Sequence, residues 1–173
     1  MTLDDYAMKF CMMVMLDEKE VERKAEYKDS MKYILESYSR ILKAHPSLIM
    51  RNRSGRDEEE YGEVAELLKT VCINQSMHVL TKCRDVAHTR LFGALVEALS
   101  RTLILVKYYA PEGELLSSIL SDAYCSTRGF TEVNICDHLN ICRSTLYRRK
   151  PKALLYAGYF FYEAVLPEMA GKI

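Results

Sequence analysis

The chain has 173 residues, of which 49% are hydrophobic, and that composition excludes an intrinsically disordered chain. Its length is sufficient to bury a core without disulfides or metal. The 24 basic and 24 acidic residues cancel, so only the distribution of charge along the chain can indicate a charged partner.

The N-terminal third predicts two helices. Asp4 and Asp5 favour a helix start, and a first helix is expected over residues 3–24. The clearest amphipathic pattern covers residues 25–44, where apolar side chains recur every three or four positions. These are Tyr27, Met31, Ile34, Leu35, Tyr38, Ile41 and Leu42. His45-Pro46 is expected to end this helix, because the residue before a proline disfavours the helical conformation.

The middle of the chain predicts helices over residues 57–83, 85–109 and 114–126, after a basic turn at residues 51–56. The last segment, residues 152–166, is apolar on more than one side. Such a helix is either enclosed by the rest of the fold or used for self-association. Its aromatic residues are Tyr156, Tyr159, Phe160, Phe161 and Tyr162.

No stretch shows sustained strand alternation, so the predicted fold class is all-α, a multi-helix bundle with a C-terminal helix-turn-helix. Two parts are expected. Residues 1–107 form a helical part for assembly or partner contact, and residues 108–173 form the helix-turn-helix part with a final helix.

The helix-turn-helix is predicted from residues 131–150, TEVNICDHLNICRSTLYRRK. Thr131 is expected to cap the first helix, and Asn140 to adopt the left-handed conformation of the turn. Cys136 is expected where the two helices approach closely. The apolar side chains predicted to hold the helices together are Ile135, Leu139, Ile141 and Leu146. Pro151 is expected to end the second helix.

Charge is concentrated in the same segment. Residues 127–152 contain six basic and two acidic residues, a net charge of +4, whereas residues 1–30 carry −3. A local basic surface is the expected footprint of a phosphate-binding face. We therefore expect Arg143, Ser144, Tyr147 and Arg148 to face the major groove. Thr145 is a further expected DNA-binding residue. The residues expected to hold phosphates are Arg128, Arg149, Lys150 and Lys152.

The run from Asn140 to Arg148, NICRSTLYR, resembles the G-I-S-R-S-T-V-Y-R pattern of bacterial helix-turn-helix proteins such as DNA invertases. The longer arrangement, over roughly the last 60 to 80 residues, resembles phage transcription regulators of the ArpU/RinA type, whose motif is related to the sigma-70 region that binds promoter −35 DNA. The resemblance implies a phage or prophage regulator on double-stranded DNA, with RNA polymerase as a further candidate partner. A homodimer is expected, because paired half-sites raise affinity.

Other constellations are weaker. Cys125, Cys136, His138 and Cys142 lack the spacing of structural zinc sites, and no catalytic arrangement or Gly-rich phosphate loop stands out. We expect no enzyme activity, cofactor or metal. The scattered cysteines and the lack of a signal pattern indicate a cytoplasmic protein without a membrane span. The alternative is a helical protein-interaction adaptor that would use the final aromatic helix and the Met-rich first helix, its helix-turn-helix being structural only.

Overall fold

The computed structural model of the chain describes residues 18–44, 91–127 and 129–170. The predicted helix over residues 57–83, the basic turn at 51–56, the Met-rich start of the chain and Arg128 lie outside the described residues. Every regular element in the described part is helical, which confirms the all-α fold class there. None of these helices combines the length and the apolarity needed to cross a bilayer.

The helices in chain order are α1 (Glu18–Arg23), α2 (Glu26–Ala44), α3 (Leu91–Tyr109), α4 (Gly113–Leu120), α5 (Glu132–Leu139), α6 (Arg143–Phe160) and α7 (Leu166–Met169). α4 continues into a π-helical turn over Ser121–Cys125, and α6 into another over Phe161–Val165. The expected helix over residues 114–126 is therefore confirmed with a widened last turn.

The stripe predicted for α2 is the face that packs into the core. Six of its seven apolar residues are buried, and only Tyr27, at the start of the helix, is half-buried. α2 packs against α6. Near one end of this helix pair, Tyr27 of α2 lies close to Gly158 of α6. The three-four spacing of apolar residues therefore identified the correct side of this helix.

One hydrophobic cluster joins the described helices on both sides of residue 107. It contains Leu35 and Leu42 from α2, Leu99 from α3, Leu116 from α4 and Phe160 from α6. The boundary drawn at residue 107 falls within α3, two residues before that helix ends. The division into an assembly part and a DNA-binding part stays a prediction, while the described residues of the two parts share this core.

The prediction that Pro151 ends the second helix is wrong. α6 continues through Pro151 to Phe160, so the expected second and final helices are one element. Proline in a helix interior removes one backbone hydrogen bond and costs about 3 kcal/mol. The turns after Pro151 bury Ala153, Leu154, Tyr156 and Ala157. Burial of such side chains contributes about 1.5–3 kcal/mol for each large one, which is sufficient to offset the proline.

The aromatic segment is enclosed by the fold. Tyr156, Tyr159, Phe160, Phe161 and Tyr162 are all buried, and Phe160 and Phe161 have no exposed surface. Edge-to-face contacts join Tyr159 to Phe160 and Phe161 to Tyr162. Of the two uses considered for this segment, the structure shows enclosure by neighbouring helices.

Gly158 sets how closely α2 approaches α6. A Cβ atom at this position would lie 2.6 Å from the carbonyl oxygen of Tyr27. Because that neighbour is backbone, a Gly158→Ala variant must push the helices apart, and we expect it to lose about 1–3 kcal/mol of unfolding free energy in urea denaturation. Ser100→Ala, at an exposed position of α3, is the control and should change the free energy by less than about 0.5 kcal/mol. Equal urea midpoints for both variants would contradict the close approach.

Candidate nucleic-acid interface

The first helix of the predicted motif begins at a capping box. Thr131 is extended, with φ −76° and ψ 165°, and its hydroxyl accepts a hydrogen bond from the Asn134 backbone N–H at 3.3 Å. In return, the Asn134 side-chain oxygen accepts from the Thr131 backbone N–H at 3.1 Å. Two backbone donors of the first turn are thereby satisfied, which fixes where α5 starts. The predicted cap at Thr131 is confirmed.

The turn between α5 and α6 is three residues long. Asn140 is left-handed, with φ 52° and ψ 46°, as predicted. Its N–H bonds to the Asp137 carbonyl, and the Ile141 N–H bonds to the Cys136 carbonyl at 3.0 Å. This pair of bonds is the Schellman motif, which closes a helix and reverses the chain direction. Cys142 is then extended, and α6 begins at Arg143.

A second, smaller hydrophobic cluster holds α5 and the start of α6 in place. Its buried members are Ile119 from α4, Ile135 and Cys136 from α5, and Leu146 from α6. Partly buried residues packed against them are Leu115, Ala123, Phe130, Leu139 and Ile141. The four residues predicted to join the two helices therefore all belong to this cluster, and Cys136 is buried beside them. The cluster also attaches both helices to α4.

The outer face of the α6 start is polar and exposed. Arg143, Ser144, Tyr147 and Arg148 are exposed, and 59% of the Tyr147 surface is accessible. Their spacing places them on one side of the helix, opposite the buried Leu146. Within the described residues, neither Arg143 nor Arg148 forms an ion pair. The two guanidinium groups are therefore available to an anionic partner.

Tyr147 is hydrogen-bonded to a residue of α5. Its hydroxyl donates a hydrogen bond to Glu132 Oε2 at 2.6 Å, joining the first turn of α5 to the second turn of α6. The hydrogen bond to Glu132 and the Glu132 charge both favour the protonated phenol and therefore raise the pKa of Tyr147. Sequence reasoning missed this pair, because an acidic residue directly after a capping threonine signals only the start of a helix.

Three further predicted cations, Arg149, Lys150 and Lys152, make contacts within their own fold. Arg149 is largely buried, and its Nη2 lies 2.5 Å from Glu112 Oε1. The Lys150 ammonium lies over the Tyr124 ring, 5.4 Å from its centre, and the Lys152 ammonium over Tyr156 at 5.7 Å. Both lysines are half-buried. The internal partner of Arg149 makes it the member of this group least accessible to a phosphate.

A cation that sequence reasoning missed lies near the loop before α5. The side-chain end of Lys43, from the C-terminal turn of α2, lies 3.5 Å from where a Cβ on Gly129 would be. Gly129 itself is left-handed, with φ +64°, which favours glycine. Lys43 is 88 residues before Thr131, and only the folded structure brings it to this loop.

The two hydroxyls at the α6 start face a thiol. Ser144 Oγ and Thr145 Oγ1 lie 3.0 and 3.1 Å from Cys142 Sγ. These contacts lower the pKa of the exposed Cys142 to about 7, because hydroxyl donors stabilise the thiolate. Ser144 remains exposed toward solvent, while Thr145 is half-buried. Both residues thus take part in the local structure of the helix start.

The residues considered for zinc are dispersed among different surroundings. Cys136 is buried in the smaller cluster, and Cys125 is half-buried. His138 Nδ1 lies 2.7 Å from Asp122 Oδ2, and its ring stacks on Phe130. In the described parts of the chain, no three metal-ligating side chains gather at one point. The His138–Asp122 contact instead links α5 to the π-helical turn after α4.

Comparisons with family models, curated proteins and solved structures give no match for this chain. The resemblance of the C-terminal residues to phage regulators of the ArpU/RinA type therefore stays a prediction.

Cys142 offers a direct test of the geometry at the α6 start. The thiolate is the form that alkylating agents attack, so a pKa of about 7 predicts half-maximal iodoacetamide labelling near pH 7. Burial raises the pKa of Cys125 to about 11, so it should remain largely unlabelled. Peptide mass spectrometry across pH 5.5–9 measures both, and Ser144→Ala should move the Cys142 midpoint upward. A Cys142 midpoint at the ordinary thiol value of about 8.5 would contradict the hydroxyl contacts.

Proposed function

We propose that this chain is a double-stranded DNA-binding protein whose α5–α6 pair acts as a helix-turn-helix. The observation that carries the proposal is the exposed face of Arg143, Ser144, Tyr147 and Arg148 at the start of α6. A helix enters the major groove with its N-terminal residues toward the base edges. Arginine there reads guanine with two hydrogen bonds, and hydroxyls bond bases or phosphates.

The local structure supports this use of the face. The smaller cluster buries Leu146 on the inner side of α6 and so leaves the opposite side exposed. Thr145 is half-buried, which assigns it to support of the helix start and leaves the base contacts to its neighbours. Lys150 and Lys152, which are half-buried over the Tyr124 and Tyr156 rings, are proposed as further phosphate contacts along α6. A face with about four phosphate contacts should lose about a hundredfold of affinity between 50 and 200 mM salt.

The finer proposal is a transcriptional regulator of phage or prophage type. Its support is the resemblance of roughly the last 60 to 80 residues to such regulators, which adds RNA polymerase to the proposed partners. A second copy of the chain is a further proposed partner, because two linked helix-turn-helix units bind paired half-sites more tightly than one. We place the proposed regulator in the cytoplasm, where its DNA would be.

The adaptor alternative loses one of its two proposed surfaces. Tyr156, Tyr159 and the three aromatic residues that follow are buried and cannot contact a partner in this arrangement. Its other surface, the Met-rich start, lies outside the described residues. No observation in the described part of the chain favours the adaptor over DNA binding.

Two alanine variants separate base contacts from phosphate contacts. After selecting a preferred site from a random duplex library, we expect Arg148→Ala to lose about 1–3 kcal/mol of binding to that site. Lys152→Ala should weaken binding on all sequences alike and reduce the salt slope by about one. Fluorescence anisotropy at two salt concentrations measures both effects.

Lys32→Ala is the matched control. Lys32 is an exposed cation in the N-terminal half of α2, the half that packs beside the far end of α6. Its removal should leave affinity and salt slope unchanged. If Arg148→Ala and Lys152→Ala both bind as tightly as the parent chain, or if the parent shows no salt-dependent DNA binding, the proposed function is wrong.

A further inference from the structure

Glu132 is an acidic side chain on a face where the proposed function needs cations. It is exposed, and its carboxylate holds the Tyr147 hydroxyl at 2.6 Å. Arg143 is close enough to act electrostatically on the same phenol. The proposed DNA-binding face therefore combines two arginines with one carboxylate–phenol pair.

The direction of the hydrogen bond decides what this pair can bind. A tyrosine hydroxyl has one proton, and here that proton is donated to Glu132. The phenol oxygen keeps a lone pair, and the carboxylate has further lone pairs on both oxygens. Both groups can then accept hydrogen bonds from a ligand, and neither can donate one.

A surface that only accepts hydrogen bonds discriminates among the groups of a duplex. Phosphate oxygens are anionic acceptors, so they are repelled by the carboxylate and find no donor. In the major groove, guanine N7 and O6 and thymine O4 are also acceptors. The donors there are the exocyclic amino groups of cytosine and adenine, and carboxylates are known to accept from cytosine N4.

We propose that Glu132 and Tyr147 form an acceptor-only subsite that selects, on one strand at one position of the bound duplex, a base with an exocyclic amino group, cytosine or adenine, over guanine or thymine. The inference rests on the proposed function and names the base chemistry read by that face. Tyr147 supplies the contact from α6, while Glu132 fixes the direction of its proton. Glu132 also lowers the affinity of the face for phosphates, and so for DNA of arbitrary sequence.

Selection from a random duplex library tests the subsite, with the full chain and its variants compared under one salt condition. In Glu132→Gln the amide can both donate and accept, so the preference for cytosine or adenine at one position should fall about tenfold. Tyr147→Phe should weaken the preference at that same position. The affinity of Glu132→Gln for random duplex should rise about fivefold, because one negative charge near the phosphates is removed.

Asp137→Asn is the matched control. Asp137 is an exposed acid on the same helix, five residues later and therefore on a different side of α5. The Asp137→Asn variant loses the same charge at a residue that does not contact Tyr147. The sequences that it selects should therefore equal those that the parent chain selects. Circular dichroism of each variant establishes that the helices are retained.

The outcomes are distinguishable. No duplex binding by the parent chain rejects the proposed function itself. Parent binding with identical selected sequences in Glu132→Gln and the parent rejects the acceptor-only subsite and leaves DNA binding intact. An equal change in Asp137→Asn also rejects it, because the effect would then be one of general charge. A change confined to one position, shared by Glu132→Gln and Tyr147→Phe and absent from Asp137→Asn, supports it.

Discussion

The candidate interface depends on the small apolar cluster of Ile119, Ile135, Cys136 and Leu146. Each of the three aliphatic residues contributes about 1.5–3 kcal/mol by burial. Together they fix α5 and the start of α6 against α4, which itself belongs to the main core. Leu146 is buried, and it anchors the start of α6. The exposed Arg143, Tyr147 and Arg148 on the same helix are therefore held in a defined arrangement.

The C-terminal half of α6 belongs to the main core. From Ala153 onward most of its side chains are buried, and it packs against α2 among aromatic and aliphatic neighbours. One continuous helix therefore connects the proposed DNA-binding face to the centre of the fold. Pro151, which marks the change between the two halves, is exposed on the outer side.

Local chemistry was sufficient to predict much of this from sequence. The capping role of Thr131, the left-handed Asn140 and the buried stripe of α2 all follow from rules that concern neighbouring residues. The apolar contacts within the predicted motif also follow from spacing along two short helices. These features do not depend on how distant segments come together.

Features that depend on distant segments could not be predicted. Glu112 pairs with Arg149 from 37 positions earlier in the chain, so the local basic run overstated the charge available to a phosphate. Local rules gave Pro151 the role of a helix end, and tertiary burial of the following turns overrode them. Glu132 and Tyr147 meet because the turn at Asn140 folds α5 back on α6, and that side-chain pairing required the completed turn geometry.

The most direct test of the central claim is a nuclear magnetic resonance titration of the isotopically labelled chain with a short duplex. If the outer face of the α5–α6 pair meets DNA, amide shifts should change at Thr131–Asn134 and at Arg143–Arg148. The amides of Tyr156–Val165, buried in the core, should stay in place. Changes confined to α2 and α3, or an unchanged spectrum at a duplex concentration of about 100 μM and low salt, would contradict the account, because nonspecific binding alone is typically in the range of about 1–100 μM.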